Sequence, residues 1–199
     1  MSISRKNIFE EEHYMKVKIS KRAGEKKSEL SQLRHKKHVP GVIYGKGRPS
    51  ETITVDGEDF DTALRQMKKG HLSTTLFELD LDGKVIKAIA KDIQYHPVTY
   101  RILHVDFVEL QENQPVNVNI PVDFIGVADC VGIKLGGFLR QVIRHVRVRC
   151  LPKDIPSQFE LDVSQMGIKQ SKRVSDIAMP AAVRSLIGEK NVVVTIAKR

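Results

Sequence analysis

The chain of 199 residues is long enough for one large domain or two small ones, and 41% of it is apolar, sufficient to close a core in each. Its 33 lysines and arginines against 24 acids leave a formal charge of +9, which draws the chain toward polyanions such as nucleic acid or an acidic membrane face. No run approaches the roughly 18 apolar residues of a membrane span, and the N-terminus has no apolar secretory core, so a cytoplasmic protein away from the membrane is expected. Cys130 and Cys150 show neither CxxC nor zinc-type spacing. They read as small core residues in a reducing compartment, ahead of a disulfide or a redox pair. The histidines form no HExxH-type motif, and neither a metal nor a cofactor is expected.

Residues 1 to 14 carry Glu10-Glu11-Glu12 without strand or helix periodicity and read as a flexible N-terminal extension. Met15 then opens Met15-Lys16-Val17-Lys18-Ile19-Ser20, alternating as a half-buried strand does, and offers an alternative translation start. Ser28 is placed to cap a short helix with Leu30 and Leu33 inward and Arg34, Lys36 and Lys37 near its C-terminal end, stopped by Pro40. A Pro40-Gly41 turn leads into a strand at Val42-Ile43-Tyr44. Gly45-Lys46-Gly47-Arg48 follows, glycine-spaced for phosphate approach but without P-loop spacing.

Thr52-Ile53-Thr54-Val55 reads as a strand, and Asp56 or a neighbour as the cap of a helix to about Lys69 whose Phe60, Ala63, Leu64 and Met67 pack inward. Leu76 to Leu81 and Lys84 to Lys91 flank Asp82-Gly83, a type I′ hairpin signal. After a turn at His96-Pro97, residues 102 to 110 place Leu103, Val105 and Phe107 on one side and His104, Asp106 and Val108 on the other. This first half is a strand-rich domain of roughly six strands with two short helices, over residues 15 to 110. A polar linker, 111 to 115, ends in Pro115.

In the second domain, residues 116 to 199, Val116, Val118, Ile120 and Val122 share one face of a strand, and Pro121 suggests an edge or a bulge. Val142, Arg144, Val146 and Val148 alternate, and Arg140, Arg144, Arg147 and Arg149 leave a basic trace. Strands return at residues 159 to 163 and 192 to 196, which makes this domain mostly β as well. Charge is uneven along the chain. Residues 16 to 48 hold eleven lysines or arginines against two acids, whereas residues 49 to 112 hold seven against twelve, so the positive field sits at one end of the first domain.

Asp92 and His96 lie four apart beside a turn, a spacing commoner in hydrogen-bonded or binding pairs than in a base and its orienter. With no GxSxG element and no dinucleotide glycine pattern, an enzyme is not expected. Arg22, Lys26, Lys27, Arg34, Lys36 and Lys37 cluster before Pro40, while Tyr44, Lys91, Gln94, Tyr95, His96 and Arg101 add rings, amides and charge. Composition alone fits a solvated lysine-rich face as well as it fits phosphate contacts with stacking rings.

Specificity comes from motifs in order. Leu33-Arg34 with Val39-Pro40-Gly41-Val42-Ile43-Tyr44-Gly45, then Lys91-Asp92-Ile93-Gln94-Tyr95-His96-Pro97 and His104-Val105-Asp106-Phe107, closely resemble the signatures of the bacterial ribosomal proteins that bind 5S ribosomal RNA. The second half resembles the extra domain of that family's long form, the general stress protein Ctc family. Its motifs are Pro121-Val122-Asp123-Phe124-Ile125-Gly126, Gly136-Gly137-Phe138-Leu139, Cys150-Leu151-Pro152-Lys153-Asp154-Ile155-Pro156 and Val174-Ser175-Asp176-Ile177.

The resemblance implies a mainly β protein, with a six-stranded barrel-like N-terminal domain bound to 5S ribosomal RNA at the central protuberance of the large subunit and a mainly β C-terminal domain at its periphery. It implies RNA contacts at Arg22, Lys27, Arg34, Tyr44, Lys91, Gln94, His96, Arg101, His104 and Asp106, to which the basic cluster adds Lys36 and Lys37. Arg22, Lys27 and Arg34 would meet phosphates, Tyr44 the backbone, and Lys91, Gln94 and His96 the minor groove. Asp106 would accept a 2′-hydroxyl or guanine amino hydrogen while His104 donates or stacks. Neighbouring large-subunit proteins are implied partners, 23S ribosomal RNA is a candidate, and the chain would act as a monomer within the ribosome. The alternative is an interaction protein that the first domain merely anchors while the second binds a ribosomal protein or stress factor. One departure is Ser31-Gln32, where many relatives are arginine-rich; Lys36, Lys37, Lys46 and Arg48 would offset it.

Overall fold

The computed structural model describes residues 14–22, 26–68, 70–81 and 83–198, with the side chains of Lys27 and Arg48 outside that set. The expectations placed on residues 1 to 13, on Asp82 in the hairpin turn and on the Lys27 side chain therefore lie outside the described residues. Two compact units divide the chain, one running to Gln114 and one starting at Pro115.

In the first unit, β1 (Met15–Lys21), β2 (His38–Gly45), β3 (Arg48–Asp56), β4 (Leu76–Leu81), β5 (Lys84–Tyr95) and β6 (Ile102–Glu109) close a barrel in the order β1-β3-β2-β6-β5-β4. Closure falls on β1, antiparallel to β3 with Ile19 opposite Val55 and parallel to β4 with Val17 opposite Leu79. The period-2 pattern drives it: Val17, Ile19, Ile53, Val55, Phe77, Leu79, Val105 and Phe107 are all buried in one cluster. Helix α1 is Lys27–His35 and α2 is Gly57–Gln66. Phe60 of α2 meets Phe77 and Phe107 with ring centroids 5.8 and 6.0 Å away, and those two rings lie 5.6 Å apart. Burying each ring contributes about 1.5–3 kcal/mol.

The capping expectations divide. The Asp56 carboxylate accepts from the Glu58 and Asp59 amides at 2.9 and 3.4 Å and starts α2, which ends at Gln66, short of Lys69. Ser28 does not cap α1. The helix begins one residue earlier, with Lys26 at the cap position and no side-chain cap bond, so the serine lies inside the first turn. Nor do Pro40 and Gly41 form a turn, since β2 runs through both. Parallel pairing with β6 begins only at Gly41 opposite Val105, so on that side the strand does not require the N–H that Pro40 lacks. Gly41 is demanded by proximity, because a Cβ there would sit 2.7 Å from the Val105 carbonyl oxygen.

In the second unit, β7 (Val116–Ile125), β9 (His145–Cys150), β10 (Phe159–Asp162) and β12 (Arg184–Ser185) form a sheet ordered β10-β7-β9-β12. Between β7 and β9 lie a short helix α3 (Val131–Lys134) and β8 (Gly137–Gln141). β8 joins β11 (Ser171–Arg173) and β13 (Val192–Lys198) in a three-stranded sheet ordered β11-β13-β8. β7 is a central strand, neither edge nor bulge. Pro121 is buried where pairing with β9 ends, opposite His145, and pairing with β10 begins at Val122, so neither neighbour needs its missing donor. Val142 and Arg144 are exposed and precede β9, because the chain changes sheets there; the Val142 and Ile143 amides both donate to the Val193 carbonyl. Cys130 and Cys150 are free and buried, and burial, with Asp154 nearby, pushes the Cys150 thiol up to about 11.

Candidate RNA interface

One strand carries both core and face. Along β6, Val105 and Phe107 point into the barrel, which leaves His104 and Asp106 together outside. The His104 Nδ1–H donates to Asp106 Oδ1 at 2.7 Å, with the two side chains 26% and 36% exposed. This bond fixes the ring and leaves Nε2 as an acceptor on the neutral imidazole.

Neighbouring strands extend this face. On β5, Gln94 lies opposite His104 and Asp92 opposite Asp106, both exposed. A register shift between Ala90 and Asp92 leaves Lys91 as the extra residue, and Lys91 and Asp92 both face solvent. Lys91 Nζ stands 5.5 Å from the centroid of the Tyr44 ring, a cation–π contact. On β2, Val42 is beside Asp106 and Tyr44 beside Val108. Tyr44, Lys91, Gln94, His104 and Asp106 therefore share the outer side of three adjacent strands.

At one end of this face, β5 and β6 are joined by the His96 loop. The His96 Nδ1 accepts the Val98 and Thr99 amides at 3.3 and 3.2 Å, so the proton of the neutral ring is on Nε2 and is free to donate outward. Arg101, at the foot of the same loop, is exposed. From α1, the Arg34 guanidinium donates Nε and Nη2 to the Leu103 carbonyl, each at 3.2 Å, which docks the helix beside His104 and leaves further N–H groups of an exposed side chain.

Arg22 and Lys36 are placed differently. Both line a groove of about 620 Å³ between α1 and the barrel, together with Lys18, Lys21 and His38. Lys37 is not in this set: its ammonium is 2.7 Å from Glu58, whose hydrogen-bonded carboxylate raises the Lys37 pKa above its ordinary 10.5. Lys18 and Lys21 escaped the sequence reading as individual contacts, although Lys16 and Lys18 alternate with buried Val17 and Ile19 and so had to face outward. Asp92, expected to pair with His96, instead accepts from its neighbour's amide, Ile93 N–H, at 3.0 Å.

The two units match two family models. The Ribosomal L25p family covers residues 17–107, and the ribosomal protein TL5 C-terminal domain covers residues 115–199. Among curated relatives, the large ribosomal subunit protein bL25 of Chlamydia pneumoniae is 44% identical over 185 residues, which is 93% of this chain and 100% of the relative. The same protein from Chlamydia caviae is 45% identical over the same shares of both chains. The chain belongs to the ribosomal L25p family in its long, Ctc-type form, a family of structural ribosomal proteins that bind 5S ribosomal RNA and are not enzymes.

Proposed function

We propose that this protein is a structural constituent of the large ribosomal subunit, at its central protuberance, and that it holds 5S ribosomal RNA against the outer face of β5, β6 and β2. The observation that carries the reading is the outward His104–Asp106 pair, beside Gln94 and the Lys91–Tyr44 contact. An acid on a phosphate-facing surface is repelled unless it takes a specific hydrogen bond from a base or a 2′-hydroxyl. The wide, shallow minor groove of an RNA helix offers such donors to a flat β face.

In this reading Arg22, Lys27, Arg34 and Lys36 neutralise phosphates, with Lys18 and Lys21 extending the same groove, and Lys37 supports the site through Glu58 instead. Tyr44 packs on the backbone under Lys91, while Gln94 and the His96 Nε2–H approach the groove floor, and Arg101 closes the far end. Asp106 accepts through its second oxygen, and His104 accepts through Nε2 or stacks. The partners are 5S ribosomal RNA and neighbouring large-subunit proteins, with 23S ribosomal RNA as a further candidate, and the chain works as a monomer in the cytoplasmic ribosome.

Titration of the full chain with 5S ribosomal RNA and with an unrelated duplex, across several salt concentrations, tests this. Each neutralised phosphate adds a slope of about −0.7 to −0.9 to log K against log salt, so the cations named predict a slope of roughly −4 or steeper. The 5S RNA is expected to bind more tightly than the duplex at every salt concentration. A flat plot, or equal affinity for both RNAs, would reject the reading.

A further inference from the structure

The outward side of β7, β9 and β12 in the second unit carries a charge pattern that the barrel reading does not use. On β9, Val146, Val148 and Cys150 are buried, which turns His145, Arg147 and Arg149 out to solvent. β7 places Asn117 opposite Arg149 and Asn119 opposite Arg147, both asparagines exposed. From the other side, exposed Arg184 of β12 lies directly opposite Arg149. Positions two apart on a strand are about 7 Å apart and neighbouring strands about 4.8 Å, so the three guanidinium groups and two amides form one small plate.

Among the described residues none of these three arginines is in an ion pair. The acids on this side of the sheet, Asp123, Glu160 and Asp162, lie beyond Pro121, on the part of the sheet where β10 replaces β9 as the neighbour of β7, with Asp123 directly opposite Glu160. Like charges directly opposite one another destabilise a sheet, so the Arg149–Arg184 pairing has an energetic cost that an anion lying across both would remove.

We propose that this plate is a second RNA-binding surface, which takes the phosphodiester backbone of an RNA segment other than the one on the barrel. Chemistry favours RNA over an acidic protein. Protein interfaces centre on apolar and aromatic anchors, which arginine joins rather than replaces, whereas here arginines and asparagines hold the middle and the exposed apolar side chains, Leu151 and Leu186, stand at the margin. Arginine forks bind phosphate oxygens bidentately, and the flanking asparagine amides both donate and accept, as 2′-hydroxyls and phosphates require. The barrel and this plate would together let one chain join two RNA segments.

The proposal rests on the barrel reading only in its assay, where 5S ribosomal RNA occupies the barrel. Full-length protein saturated with 5S ribosomal RNA is titrated into a labelled RNA duplex of unrelated sequence, using wild type and the triple variant Arg147→Gln, Arg149→Gln, Arg184→Gln. Wild-type complex should capture the duplex with a salt slope of about −2 to −3, and the variant should bind it at least about tenfold more weakly. Affinity of the variant for 5S RNA should be unchanged. Removing the Arg149–Arg184 repulsion should leave its melting temperature equal to or above that of wild type, which separates lost binding from lost folding. If the protein fails to bind 5S RNA at all, the barrel reading falls, and the same difference between wild type and variant is read on the free chain. Equal duplex binding by both proteins, or capture of an acidic protein but no RNA by the wild-type plate, overturns the proposal.

Discussion

Replacing Asp106 with Asn changes one atom and separates specific recognition from bulk attraction by the sign of its effect. The asparagine carbonyl still accepts the His104 Nδ1–H, which Asp106 now takes at 2.7 Å, so the ring stays in place. The group left facing RNA, however, changes from a charged acceptor to an N–H₂ donor. A hydrogen bond to a charged acceptor contributes about 1.5–3 kcal/mol, and since the Asp106 side chain keeps 36% of its exposure, solvent reduces this to roughly 1–2 kcal/mol. That corresponds to about a five- to thirtyfold rise in Kd for 5S ribosomal RNA. Pure electrostatics predicts the reverse, because a carboxylate about 8 Å from a phosphate across water costs roughly 0.5 kcal/mol, so its removal should tighten binding to any RNA. Calorimetric titration of both proteins against 5S RNA and an unrelated duplex, after circular dichroism shows both folded, decides between them. Tighter binding of the variant to both RNAs would refute the specific contact.

Lys36→Gln and Lys37→Gln, adjacent and alike on paper, should behave differently. Lys36 lines the open groove and its loss should weaken 5S binding and lower the salt slope by about one unit, whereas Lys37 already faces Glu58 and its loss should leave the slope nearly unchanged. Gly41→Ala, whose added Cβ would sit 2.7 Å from the Val105 carbonyl oxygen, should destabilise the barrel by about 1–3 kcal/mol, read as a lower midpoint in urea unfolding. With the Cys150 thiol raised from 9.0 to about 11, the unfolded chain ionises first as pH rises, so this group's contribution to stability should fall between those values and level off above them. In the native protein iodoacetamide should modify Cys150 only slowly at pH 8, and rapid labelling there would contradict its burial.

The barrel was legible because both of its faces are written in the simplest period. Val17 and Ile19, Ile53 and Val55, or Val105 and Phe107 need only the alternation of a strand to be assigned to the core. That alternation equally set His104 and Asp106 on one outer surface, though not the bond between them, which depends on rotamers. Pairing partners were beyond local reading: Gly41 opposite Val105, or Pro121 at the junction of two neighbours, acquire their meaning only from strands distant in sequence. The Lys37 ion pair was hidden for the same reason. Its acidic member, Glu58, is 21 residues away on another helix, and no pattern around Lys36-Lys37 distinguishes the paired cation from the open one. In the second unit the three-residue β11 and two-residue β12 are too short to show a period at all, so the arginine opposite Arg149 could not be foreseen.

In the proposed reading, core and RNA face lie on opposite sides of the same strands. Asp92 lies directly opposite Asp106 on the outer face, an arrangement that repels in the free protein and that the buried residues of both strands must outweigh. The inner side supplies that margin through Ala90 and Ile93 on β5 and Val105 and Phe107 on β6, all within one buried cluster. The irregularity between Ala90 and Asp92 locally disrupts the ladder where the two acids meet, and it turns Lys91 outward to stand over Tyr44 as a nearby positive charge. In that reading, an RNA that donates hydrogen bonds to the acids while giving its phosphates to Lys91 and Arg34 would relieve this repulsion. Core residues of β5 and β6 should therefore govern melting temperature, outer residues should govern affinity, and bound 5S RNA should raise the melting temperature of wild type more than that of Asp106→Asn.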